Sequence, residues 1–267
     1  MRNTPASQGP TGRSAAPEGD RNFGIAIARA FDLLRCYSPE QPVLGISDLA
    51  RATGLPKATV SRLTYTLEQL GYLHRSLPSG KYSLGWGVLS LGYPLLNGTA
   101  LRQRARPAML ELATRLRVNV NLGTLDRLRI LYIESVRFDE SSLARPDIGR
   151  GYPILTSATG RVLLASLPTH RAEPLCKRLG LADPEAWRQT EPIVRQLRHD
   201  LQSPGFYARP SVVQPGFWAV AVPMKQPDHE PPMAFNCAMP LSQYSQRQLD
   251  RLVGPTLVAM VRAVEER

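Results

Sequence analysis

Lysine is scarce in this chain. Only Lys57, Lys81, Lys177 and Lys225 occur among 33 basic residues in a total of 267, so arginine carries nearly all of the positive charge. Cysteine is scarcer still. Cys36, Cys176 and Cys237 are odd in number and far apart, which excludes a disulfide-dense secreted scaffold and fits reduced thiols in a cytoplasm. No apolar run approaches the ~18–20 residues needed to span a bilayer, so no membrane partner is expected. Aromatic residues make up 7%, but hydrophobic residues as a whole make up 43%, enough for a packed core. That balance excludes a disordered or collagen-like chain. At about 100–200 residues per domain, the length allows two domains or one large one.

The net charge of +11 favours a polyanionic partner. It is not concentrated in one segment: residues 1–99 hold ten basic and six acidic side chains, and the remainder hold 23 and 16. Residues Met1–Asp20 are polar and rich in Pro, Gly and Ser, with no apolar core of a leader sequence. The expectation is a disordered tail over 1–21 rather than a secretory signal.

Helical periodicity begins at Ile25 and runs to Tyr37, with Ile27, Ala30, Phe31, Leu33 and Leu34 as its apolar positions. Pro39 and Pro42 bracket a break before a denser unit, Ile46–Leu84. Within it, Ser47 is placed to cap a short helix, with Asp48 in the first turn near the positive end of the helix dipole. Gly54 allows a turn, and Pro56 suits the start of a second helix predicted to end near Leu70. Val60, Leu63, Leu67 and Leu70 then form its inner stripe at 100° per residue.

The outer face of that helix follows from the same geometry. Ala58, Ser61, Arg62, Tyr65 and Gln69 point away from the stripe, with Lys57 and Thr59 in the first turn. A small, polar and basic face of this kind suits insertion into a DNA major groove, where Arg62 can make a bidentate contact to guanine. Next comes a predicted hairpin around Pro78-Ser79-Gly80, with Arg75 and Lys81 near its tip. A basic hairpin directly after such a helix acts as a wing on phosphates. The DNA-contacting set is therefore Ser47, Lys57, Ala58, Thr59, Ser61, Arg62, Tyr65, Arg75 and Lys81. The same two helices and hairpin also occur as a protein-binding module.

Two apolar stretches, Val88–Leu96 and Ala100–Leu116, read as a helical linker. Beyond it Val118–Leu125 and Arg129–Val136 read as a hairpin, and Tyr207–Val213, Trp218–Pro223 and Met233–Met239 as further strands. Helices are predicted within Ile154–Leu167, around Cys176, over Glu191–Leu201 and over Gln246–Val264. The fold class is α+β.

At these residues the chain resembles the isocitrate-lyase-regulator (IclR) family of bacterial transcription factors over about residues 24–265. The stretches that carry the resemblance are Ile46–Gly71, Gly80–Gly85, Arg106–Ala113, Gly149–Ala165 with Thr156-Ser-Ala-Thr-Gly-Arg161, and Pro215–Pro240. The resemblance implies a winged helix-turn-helix over 22–85, a linker over 86–117 and a GAF-like α/β effector-binding domain over 118–267. It also implies a double-stranded operator, a small-molecule effector, often an organic or aromatic acid, and a homodimer or homotetramer.

Read beside that resemblance, Thr156, Ser157, Ala158, Thr159 and Gly160 precede a helix whose free N–H groups favour an anion. Ala158, Thr159, Gly160 and Ala219 match the family's ligand contacts, and the strands holding Trp218 and Asn236 line the same cavity by resemblance. Arg209 stands where the family usually has a carboxylate, so it is expected to pair with an effector carboxylate, with Phe206, Tyr207, Phe217 and Trp218 around an aromatic ring. No catalytic residue, cofactor or metal is expected. His170, His199 and His229 have no partners at metal-ligand spacing, and neither a Gly-x-Ser-x-Gly elbow nor a Walker loop is present. The expectation is a cytoplasmic, ligand-responsive transcriptional regulator of catabolic or related metabolic genes. Its rivals are a DNA-binding protein whose second domain only oligomerises and an enzyme with an accessory winged helix.

Overall fold

A computed structural model describes residues 21–138, 148–225, 227 and 230–266. The expected tail, apart from Arg21, and His229 lie outside the described residues. The chain divides into two units, Met1–Gly98 and Thr99–Arg267.

In the first unit the helices α1 (Ile25–Leu34), α2 (Ile46–Thr53) and α3 (Lys57–Gln69) precede a two-stranded antiparallel hairpin, β1 (Leu73–Arg75) and β2 (Tyr82–Leu84), and then α4 (Gly87–Gly98). Their core is Leu33, Leu49, Leu55, Val60, Leu67, Leu73 and Tyr82. Each such buried side chain contributes about 1.5–3 kcal/mol against exposure. Gly54 closes α2 at φ 64°, a left-handed conformation that glycine adopts without a Cβ penalty.

Two local expectations are corrected here. Ser47 does not cap α2. The N-cap is Gly45, and Asp48 reaches back to accept the Gly45 N–H at 3.0 Å, leaving Ser47 exposed inside the first turn. Leu70 does not complete the inner stripe of α3. It lies past the last helical residue and is 62% exposed, while Thr64 is fully buried in its place. Thr64 fits there because its hydroxyl donates to the Ser61 carbonyl at 3.1 Å and brings no unpaired donor into the core.

The second unit opens with α5 (Ala100–Leu116), so the stretch 86–117 is shared between the two units. Strands β3 (Asn119–Asp126), β4 (Arg129–Val136) and β5 (Gly151–Pro153) follow, and then α6 (Ala158–Ser166), α7 (Thr169–Ala182) and α8 (Pro184–Asp200). The unit ends with β6 (Tyr207–Pro210), β7 (Phe217–Pro223), β8 (Met233–Pro240), the short α9 (Gln246–Gln248), a π-helical turn Leu249–Val253 and α10 (Gly254–Glu265). The six strands form one antiparallel sheet in the order β5-β4-β3-β8-β7-β6.

One face of the sheet packs on α5 and α10, the other on α6, which α7 and α8 back. The side-chain period of two fixes what each face holds. Glu134 meets α5, whereas Gly123 meets Thr159 of α6. Among the described residues no helix is long and apolar enough to cross a membrane.

The start of α6 is set by a close approach. A Cβ on Gly160 would fall on the carbonyl oxygen of Ile154, so this glycine lets the helix sit on the chain entering it. The obstacle is backbone and cannot swing aside. Gly160→Ala is therefore expected to lower unfolding stability by about 1–3 kcal/mol in a denaturant titration. An unchanged midpoint would contradict this packing.

Candidate functional site

The outer face of α3 is open. Lys57, Ala58, Ser61, Arg62, Tyr65 and Gln69 are all exposed, Tyr65 to 63%, and Thr59 is half-buried. Thirteen residues give a cylinder about 20 Å long, and a helix of about 10–12 Å diameter is of a size to fit a major groove about 12 Å wide. The wing lies directly after it in the chain. Arg75 and Lys81 are exposed, and the Arg75 guanidinium sits over the Tyr82 ring at 5.9 Å from its centroid. The buried Tyr82 thus holds a cation at the hairpin. The Ser76 N–H donates to the Lys81 carbonyl at 2.9 Å, and the Gly80 N–H donates to that of Ser76 at 2.8 Å, closing the tip. Seven of the nine residues expected at DNA, all but Ser47 and Thr59, therefore lie exposed on the outer face of α3 or on the wing. Thr59 is half-covered at the first turn of α3, and Ser47 is exposed at the start of α2.

In the second unit, the strand register places Tyr207, Ala221, Asn236, Asn121 and Ser135 in one row across β6, β7, β8, β3 and β4. Arg209 and Ala219 are paired in the neighbouring row on the same face. Three members of the first row are polar and bonded to one another. The Ser135 hydroxyl donates to Asn121 Oδ1 at 2.8 Å, and Asn121 Nδ2 donates to Asn236 Oδ1 at 2.8 Å. Asn236 Nδ2 then donates to the Tyr132 hydroxyl at 3.1 Å. Burial pushes the Tyr132 hydroxyl up to about 12, against partial relief from its Thr159 and Asn236 neighbours, so it stays protonated at neutral pH. The Thr159 hydroxyl is fully buried beside it and outside hydrogen-bond geometry.

Of the residues expected around an effector, Thr159, Arg209, Ala219 and Asn236 share this face. Thr156 and Ala158 are half-buried where α6 begins. Ser157 is spent locally: its hydroxyl accepts the Gly160 N–H at 3.0 Å as the cap of α6. Gly160 is accounted for by its approach to Ile154. Arg209 stands apart from the polar row. It is exposed, donates to the Ala208 carbonyl at 2.8 Å and lies 5.8 Å from the Tyr207 ring centroid. It lines an open cavity of about 700 Å³ between α8 and β6, together with Arg161, Tyr207, Ile193 and Leu197.

The aromatic set divides as well. Tyr207 and Phe206 line that cavity, but Phe206 also packs against Gly254. The Trp218 indole donates to the Tyr244 carbonyl at 2.8 Å, and neither Trp218 nor Phe217 reaches the cavity.

Sequence reasoning missed Tyr132, Asn121, Ser135 and Arg161. Arg161 donates to the Leu155 carbonyl at 2.9 Å and to the Tyr207 hydroxyl at 2.9 Å, tying α6 to the edge strand. A signal for the row was present: Asn119, Asn121 and Asn236 interrupt apolar strands at inward-facing positions. The cysteines offer no chemistry here, since Cys36 and Cys237 are buried and burial raises both thiols. Among the described residues no group of acids, histidines or cysteines could hold a metal ion.

Known proteins share this sequence pattern and fold. Residues 26–76 match the IclR helix-turn-helix domain, and residues 94–265 match the bacterial transcriptional regulator IclR C-terminal domain. The chain is 31% identical over 244 residues to the HTH-type transcriptional regulator TsaQ1/TsaQ2 of Comamonas testosteroni, covering 90% of this chain and 87% of that one. It superimposes with a TM-score of 0.83 on an IclR family transcriptional regulator from Brucella abortus, at 33% identity over 95% of each chain. An IclR homologue from Microbacterium hydrocarbonoxydans, solved in complex with 4-hydroxybenzoate, gives a TM-score of 0.65 at 24% identity, over 91% of this chain and 100% of the other.

The polar row predicts its own energetic signature. Tyr132→Phe removes the acceptor of a buried amide N–H, so unfolding stability should fall by about 1–3 kcal/mol in denaturant. Stability equal to the parent would mean that the amide finds another partner and the row is loose.

Proposed function

Because the chain belongs to the IclR family of DNA-binding transcriptional regulators, and is therefore not an enzyme, we propose that it reads its operator with α3 and the wing and answers to a small carboxylate-bearing aromatic acid. The observation that carries the DNA half is the exposed Lys57–Ser61–Arg62–Tyr65 face set above a buried apolar stripe. Arg62 and Ser61 meet base edges. Ser47, Lys57, Ala58, Thr59 and Tyr65 fit the helix to the groove, and Arg75 and Lys81 bind phosphate. The regulated genes are catabolic or related metabolic ones. The protein works in the cytoplasm, where its DNA lies and its three free thiols persist.

The working form is a homodimer or homotetramer. Supporting this, α4 has no buried residue, Leu89, Tyr93 and Leu95 are 63%, 64% and 68% exposed along it, and Trp86, just before it, is 88% exposed. An apolar helix left in water needs a cover, and a second copy supplies one. Two α3 helices then face successive major grooves about 34 Å apart on a partly palindromic site.

The effector lies on the sheet face beneath α6. Thr156, Ala158 and Thr159 surround it at the helix start, and Ser157 and Gly160 shape that start. Ala219 leaves room, Asn236 bonds its polar end and Arg209 pairs with its carboxylate. The Microbacterium homologue bound to 4-hydroxybenzoate makes an aromatic acid the first choice of probe. If the second unit only oligomerised, no acid would stabilise it.

Two measurements test this reading. With an operator fragment, Arg62→Ala should lose about 1–3 kcal/mol of binding and relax base choice at one position. Lys81→Ala should weaken all sequences alike and flatten the salt slope by about 1. Parent-like binding by both variants would overturn the docking. In a thermal-shift series, 4-hydroxybenzoate and related acids should raise the unfolding midpoint by about 5–10 °C near a hundredfold excess over Kd. Arg209→Ala should weaken the responding acid about tenfold or more. Unchanged affinity would remove Arg209 from the site.

A further inference from the structure

Glu134 is an unusual residue for the middle of a sheet. It is 1% exposed, and the helix facing it offers two guanidiniums. Arg102 Nε lies 2.8 Å from one carboxylate oxygen, and Arg106 donates to the other at 2.8 Å. The oxygen that Arg106 meets also accepts the backbone N–H of Ser135 at 3.0 Å. Ser135 is the next residue on β4, so its side chain points to the opposite face, where its hydroxyl opens the polar row. Adjacent residues on one strand are the shortest path through a sheet. The row and the ion cluster therefore join at Glu134–Ser135.

The far end of the path is equally defined. The Tyr132 hydroxyl accepts from Asn236, which leaves its own proton free to donate. Beside it stands the buried Thr159 hydroxyl in the first turn of α6, a neighbour that acts on the Tyr132 hydroxyl from outside strict hydrogen-bond geometry. An acceptor oxygen entering there would be met by two hydroxyl donors. At the near end, Arg102 and Arg106 occupy the first two turns of α5, which starts two residues after the last residue of the first unit.

Resting on the reading that the effector binds beneath α6, we propose that Tyr132 senses the effector and that Asn236, Asn121, Ser135 and Glu134 carry the displacement through the sheet to the N-terminal turns of α5. Tyr132 prefers an acceptor oxygen, because its own oxygen already accepts from Asn236 and its hydroxyl is a donor. Glu134 is a positioning residue: it touches no ligand and acts through α5.

Hydrogen exchange on the full chain tests the path without needing an effector. Asn236→Ser cuts the row away from the ion cluster, and the milder Ser135→Ala cuts it where it joins Glu134. Either should speed amide exchange over residues 102–110 about tenfold, within the ~5–150-fold range of coupling between sites. Residues 57–69 should exchange at the parent's rate. Glu134→Gln should give the same increase, and combining it with Ser135→Ala should add nothing further. Unchanged exchange over 102–110 in both row variants, or effects that multiply in the double variant, would overturn the proposal. Adding 4-hydroxybenzoate and related acids separates this failure from that of the effector reading. Protection of residues 155–163 in the parent, with no response over 102–110, keeps the site and rejects the path. No protection at all, with α5 still loosened by Asn236→Ser, rejects the site and keeps the path.

Discussion

The outward polar face of α3 exists because its inward face cannot turn. Val60, Thr64 and Leu67 are buried against Leu33, Leu49 and Leu73, and rotating the helix would trade that burial for exposure. At about 1.5–3 kcal/mol for each apolar side chain, the rotation is closed at ordinary temperatures. Ser61, Arg62 and Tyr65 are thereby held outward before any DNA arrives. On the proposed reading, a helix held in this way gives up little backbone freedom on binding. The wing extends the same logic: Tyr82, buried below, positions the Arg75 guanidinium above.

The second unit meets a different constraint. A six-stranded antiparallel sheet packed on both faces penalises unpaired polar groups, yet this one carries asparagines, a tyrosine and a glutamate inside, with a half-buried serine beside them. They persist because they bond in sequence, on one face through Ser135, Asn121, Asn236 and Tyr132, on the other through Glu134 and two arginines. A network of this kind is costly to interrupt and responsive when interrupted. That property suits a sensor more than a scaffold, which core apolar residues would build as well.

The sequence disclosed the helix-turn-helix face well, because a 100° period over thirteen residues needs nothing from the rest of the chain. Its errors lay at helix ends. Leu70 was one residue too far along, and the cap on α2 came from Asp48 reaching backwards rather than from Ser47. The hairpin Arg129–Val136 with its partner strand was legible from alternation and β-branching. The polar row was not, since it depends on register across β4, β3 and β8 and on a shift between Leu122 and Gly123 that local pattern does not encode. Trp218 was misplaced for a simpler reason: it alternates with Ala219, so both cannot face one cavity. Arg209 was placed at the effector by resemblance, from the residue usual at its position, and its exposure on an edge strand became visible only with the fold.

The central claim is that α3 enters the major groove with its Ser61–Arg62–Tyr65 side against the bases. Methylation protection at guanine N7 on a bound operator fragment reads that groove directly. The account predicts two clusters of protected guanines about one helical turn apart, related by the symmetry of the site. Binding that leaves every guanine N7 reactive would contradict it.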